Sequence, residues 1–161
     1  MIAAFLFAAG PASAGEATAV PALLAGVSAG AAVESTSLRA TPRFRLGAAA
    51  DVLLAGGLTL AARVELTHVL DGSAALLAGW YGPGLSAPEG LPLGLLVGGA
   101  AGVTHEGSGA LGGRATAVLG LWQDRAALEL DTTIRWPLRG GARAPDWVLG
   151  LALRVVPWVL P

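Results

Sequence analysis

Apolar and polar residues alternate with a period of two through most of the chain. Over 58–70, Leu58, Leu60, Ala62, Val64, Leu66 and Leu70 share one face, and Thr59, Arg63, Glu65 and Thr67 the other. Over 126–136, Ala126, Leu128, Leu130, Thr132, Ile134 and Trp136 stand against Glu129, Asp131, Thr133 and Arg135. Phe44, Leu46, Ala48, Ala50, Val52 and Leu54 oppose Arg45 and Asp51, and Trp147, Leu149, Leu151, Leu153 and Val155 oppose Arg154. A helix would scatter these charges around its circumference, whereas a strand collects them on one side. The alternation is weaker over 91–103, 23–33 and 115–121. Residues 74–81 are apolar on both faces and are placed by elimination. The pattern predicts eight strands, at 22–34, 43–54, 58–70, 74–81, 91–104, 114–122, 125–136 and 147–158. Between them lie turn formers such as Gly56-Gly57, Asp71-Gly72, Gly82-Pro83-Gly84 and Gly140-Gly141.

Composition says what surrounds those strands. The chain has 161 residues, enough for one domain, and is 54% hydrophobic but only 13% charged. A soluble domain carries about 25% charged residues, so the outer face is read as meeting lipid. The uncharged windows, Ala17–Val33 and Gly90–Thr104, are broken by Gly or Pro. They fall short of the roughly 20 apolar residues a membrane helix needs. The expected fold is therefore all-β, an eight-stranded antiparallel up-and-down transmembrane barrel. An even strand number puts both chain ends on one side. Ala55–Gly57 and Gln123-Asp124 then become short periplasmic turns, and Thr36–Pro42, His105–Gly113 and Pro137–Asp146 longer outer loops. Residues 1–14, with the A-x-A form at Ala12-Ser13-Ala14, read as a signal peptide, and 15–161 as the single barrel domain.

The aromatic residues fall at the ends of the predicted strands. Phe44, Trp80, Tyr81, Trp122, Trp136, Trp147 and Trp158 are expected to form girdles at the membrane–water interfaces, where an apolar ring with a polar edge is best satisfied. Trp122 and Trp158 have inward parity, so a bulge or turn must re-aim them. By the same parity the lumen receives Arg45, Asp51, Arg63, Glu65, Glu129, Asp131, Arg135 and Arg154, with Glu34, Arg43 and Arg114 near its mouths. An eight-stranded barrel is just wide enough to be filled by side chains, so these charges must pair. Two readings follow: an Arg–carboxylate network that plugs the barrel, or a narrow polar conduit or small-ligand pocket.

In this pattern the chain resembles the small eight-stranded outer-membrane barrels, such as OmpX and the transmembrane domain of OmpA, over roughly 22–158. Such barrels commonly close on a C-terminal aromatic residue; here Trp158 stands three residues before the end. The resemblance implies a bacterial outer-membrane location. Some barrels of this kind modify lipid A, one of them with a His/Ser pair. Here His68 has lipid-facing parity and His105-Glu106-Gly107-Ser108 lies in a Gly-flanked loop, which does not hold a base against a hydroxyl. No catalytic residue, metal ligand or cofactor is expected. Net charge is −1, giving no footprint for nucleic acid, and Cys is absent. The expected partners are membrane lipids; outer-loop Arg39, Arg139 and Arg143 read first as solvated loop charge and, as the alternative, as contacts to lipopolysaccharide phosphates, and the expected state is a monomer. The leading role is non-enzymatic, structural or in surface interaction; the alternatives are a narrow pore, a carrier of small apolar molecules and a lipid A-modifying enzyme. Far-UV circular dichroism of the purified chain in detergent micelles should give a single β-type minimum, and a helical double minimum would overturn the strand map.

Overall fold

The computed structural model describes residues 22–36, 39–67, 71–82, 93–103, 108–121, 126–138 and 145–160. Eight strands, β1 Ala22–Thr36, β2 Arg39–Leu53, β3 Leu58–Thr67, β4 Gly72–Tyr81, β5 Leu93–Val103, β6 Gly109–Leu121, β7 Ala126–Pro137 and β8 Asp146–Leu160, follow in chain order. Each pairs antiparallel with the next, and β8 closes on β1. Closure leaves no open sheet edge, which lipid does not tolerate. The strand positions agree with the period-two pattern, but several ends move. β1 and β2 run on through most of the expected Thr36–Pro42 loop, so their connection shortens to 37–38. β6 begins at Gly109 and not at Arg114, because Gly112 and Gly113, read as loop formers, sit in the ladder. β3 stops at Thr67 and β4 starts at Gly72.

Register fixes the shape. The paired row Leu24, Asp51, Ala61, Leu77, Gly98, Arg114, Thr133, Val148 returns to β1 at Glu34, ten residues beyond its start. That stagger tilts the strands by roughly 35–45° and leaves an interior that side chains fill. The β2–β3 connection is a 3-10 turn in which Gly56 and Gly57 have φ of 71° and 81°, values that cost glycine nothing. Near the end of β8 the register with β1 jumps between Val27↔Val155 and Ala25↔Trp158. One extra residue lies there, beside Pro157, which has no N–H for the ladder. The bulge sets the Trp158 backbone opposite Ala25.

The outward positions form an uncharged belt. No Asp, Glu or Arg occupies one in the described strands, and Ser35 and Thr132 are the polar exceptions. Leu46, Val64, Leu76, Leu95, Val97, Leu130 and Leu151 stand exposed along it. Phe44, Trp136 and Trp147 mark one end and Trp80 the other, all about half exposed. Trp80 Nε1 donates to the Gly56 carbonyl at 2.9 Å. Trp80 shares a register row with Leu95, Ala117 and Leu130, and Trp136 lies six residues farther along β7. At ~3.3 Å per residue and a tilt of ~40°, with the climb across three strands, the two aromatics are ~24 Å apart along the barrel axis. An outer-membrane barrel carries an apolar band about 25 Å tall. Leu151→Arg, near mid-belt, should therefore cost ~2–4 kcal/mol, and Ser35→Arg, at the rim, ~0–1 kcal/mol. Denaturant unfolding from lipid vesicles checks this, and equal costs would remove the belt.

Candidate functional site in the charged lumen

Among the described residues, the inward positions of β1, β2, β3, β6, β7 and β8, with Asp71 just before β4, bring six arginines and six carboxylates inside, and they sort into three tiers of two plus two. Lowest is a closed ring. Arg63 pairs with Asp51 and with Glu129 (3.0 Å), and Arg154 with Asp51 (2.5 Å) and Glu129 (3.3 Å). The middle tier is a second closed ring: Arg45 pairs with Asp131 and with Glu65 (3.3 Å), and Arg114 with Glu65 (2.7 Å) and Asp131 (3.4 Å). In the rim tier Arg43 joins Glu34 to Asp71, and Arg135 meets Glu34 at 2.5 Å. The stagger explains the sorting. Residues of one tier sit at different positions along their strands but at similar heights, and the tiers are ~8 Å apart along the axis.

Tyr81 completes the lowest tier. Its hydroxyl donates to Asp51 at 2.5 Å, and Arg154 Nη2 lies 3.4 Å from it. Tyr81 was expected in the aromatic girdle; it is instead 4% exposed, inside the barrel, because 73, 75, 77, 79 and 81 are the inward series of β4. Gly94 makes the room, since a Cβ there would overlap the Tyr81 ring. Gly150 does the same for Arg45 and Asp131 of the middle ring. On the β4–β6 side the cross-section at this level is filled by Leu77, Leu96 and Val118, packed with Tyr81, Ala61 and Ala75. Above the middle ring, a cavity of about 50 Å³ lies between it and the rim, space for a few waters.

The structure places Arg45, Asp51, Arg63, Glu65, Glu129, Asp131, Arg135 and Arg154 inside and joins them all through these pairs. Arg114, expected at a mouth, belongs to the middle ring because β6 extends five residues past it toward the rim. Asp71 and Tyr81 are the members that sequence reasoning missed. Asp71 was read as a turn residue, yet its odd number continues the inward series of β4. Trp122, His68 and His105 lie outside the described residues, as does the Trp158 side chain. Among the described residues no three acidic or histidine side chains form a group that could hold a metal.

Buried ion pairs are costly to break, because the surviving partner keeps an uncompensated charge. Arg63→Met should therefore lose ~3–5 kcal/mol. The double variant Arg63→Met, Asp51→Leu keeps the tier neutral through Arg154 and Glu129, and should lose less than either single change. Unfolding titrations in vesicles decide; strictly additive losses would mean that the ring is not an electrostatic unit.

No protein-family model matches the chain, and no curated protein matches it. Among solved structures, Neisserial surface protein A aligns over 84% of this chain and 98% of its own, with a TM-score of 0.51 and 14% identity. A de novo designed transmembrane β-barrel aligns over 81% of this chain and 95% of its own, with a TM-score of 0.42 and 11% identity. The stagger, the uncharged belt and the fold-level likeness agree: this chain has the fold of the small eight-stranded outer-membrane-type barrels.

Proposed function

We propose that this chain is a non-enzymatic barrel of the bacterial outer membrane whose interior is blocked by its own side chains, with a structural or surface-interaction role. The observation that carries the reading is the lowest tier. There Asp51, Arg63, Glu129, Arg154 and Tyr81 on one side meet Leu77, Leu96 and Val118 on the other, and every one of these is buried. Passage of a solute would require breaking buried, mutually compensated charge pairs. The lipid-facing belt supports membrane lipids as the surrounding partner, and the first structural neighbour is by its name a surface protein. Contact of Arg39, Arg139 and Arg143 with lipopolysaccharide phosphates belongs to the same proposal; those side chains lie outside the described residues. The ion pairs use up the carboxylates that a general acid or base would need, which supports a non-enzymatic role over lipid A modification. In planar bilayers the purified barrel should give no unitary conductance steps. Reproducible single-channel openings would sink the blocked-lumen reading and favour the narrow pore.

A further inference from the structure

β5 lacks the usual means of fixing a strand's offset. Neither it nor β4 carries a charged side chain, so no ion pair ties one to the other. The connection between them, 82–92, is the longest in the barrel, too long to impose an offset as a tight turn does. The outward face of β5 is a series of Leu, Val, Gly and Ala, and Gly-rich strands of this kind specify register weakly.

The inward face is different. There each bulky residue of one strand stands opposite a glycine of the other: Tyr81 opposite Gly94, Leu96 opposite Gly79, and Leu77 opposite Gly98. All three bulky side chains are buried. A methyl group at Gly94 would overlap the Tyr81 ring, one at Gly79 would run into the β5 backbone at Leu95 and Leu96, and one at Gly98 would lie 2.8 Å from the Leu77 Cα. β6, tied across the lumen by Arg114 to Glu65, sets Val118 on the other flank of Gly94 and Thr116 beside Leu96. Sliding β5 by two residues keeps its apolar face outward but spoils this fit in either direction. One way, Tyr81 meets Leu96 and Gly79 meets Gly98; the other way, Leu77 meets Leu96 and Gly79 meets Gly94. Each slide sets two buried bulky side chains against each other and leaves a gap between two glycines.

We propose that Tyr81, Leu96 and Leu77, each seated on a glycine of the facing strand, form a steric lock that positions β5 in the barrel, with Tyr81, the largest of them, as the stop against Leu96. The bulk of the ring does this and not its hydroxyl, since Gly94 lies against the ring carbons Cδ1 and Cε1. An aromatic side chain covering a glycine on the next strand pins register in β-sheets. The lock stands whether or not the lumen conducts, because it concerns where β5 sits and not what passes beside it.

The chain contains no Cys, so introduced cysteine pairs report the offset when the whole barrel is folded into detergent micelles under oxidising conditions and its peptides are mapped by mass. Ala75→Cys with Ala100→Cys are direct neighbours and should form a disulfide. Ala75→Cys with Gly102→Cys are diagonal, ~7–8 Å apart, and should not. That second pair become neighbours when β5 slides until Leu96 faces position 81. In Tyr81→Gly with Val118→Ala, which clears both flanks of Gly94, the yield of the first pair should fall and that of the second rise. Tyr81→Phe, which keeps the ring without its hydroxyl, should match the unaltered barrel. A second pair that stays uncrosslinked in the cleared barrel overturns the lock. Sliding in Tyr81→Phe would assign the offset to the Asp51 hydrogen bond, and overturns it equally. Should the cleared barrel fail to fold, Gly94→Ala decides. It should lower the melting temperature of the unaltered barrel, and lower it much less beside Tyr81→Ala. Equal losses in the two backgrounds would refute the contact on which the lock depends.

Discussion

Lipid offers no hydrogen bonds and little tolerance for charge, so every backbone N–H and C=O in the belt, and every Arg, Asp and Glu, must be satisfied within the chain. The closed ladder meets the first demand, with β8 on β1 as its last seam. It also creates the second problem, because closing eight strands makes an inside too narrow for much water. Twelve charges among the described residues share that inside, and their signs balance within each tier. The glycines and alanines of the inner face are the counterpart of this arrangement. Gly150 leaves room for the Arg45–Asp131 pair and Gly94 for the Tyr81 ring.

Much of the fold was legible because one face of each strand is uniformly apolar. A period-two pattern needs no knowledge of partners, and it located β3, β7 and the outward belt directly. Strand ends were less legible. Gly112, Gly113, Thr36 and Arg39–Pro42 look like loop residues in isolation, but ladder bonds to β7 and within the β1–β2 hairpin hold them extended. Tertiary context overrides local turn chemistry at such places.

The interior was legible in kind but not in partnership. Parity said which charges point inward; it could not say that Asp51 meets Arg154, or that Arg45 meets Asp131, since those contacts depend on a stagger that only closure defines. Tyr81 shows how a strong prior misleads. An aromatic residue beside Trp80 at a strand end suits an interface, yet neighbours on a strand face opposite ways, and one of the two had to turn inward.

The three tiers also act on strand alignment. A slip of β2 by one residue would send Arg43, Arg45 and Asp51 to the lipid side and bring Phe44 and Leu46 within, a change that lipid forbids outright. A slip by two would restore the facing but move each charge ~6.6 Å along its strand, most of the way to the next tier. Arg45 would then leave Asp131 and Glu65 for a level whose carboxylates are already taken. Apolar packing distinguishes odd offsets from even ones, and the tiered charges distinguish the even offsets from one another. In a barrel whose outer face is a run of near-equivalent Leu, Val and Ala, it is the buried ions that tell each charged strand where along its neighbour to stop.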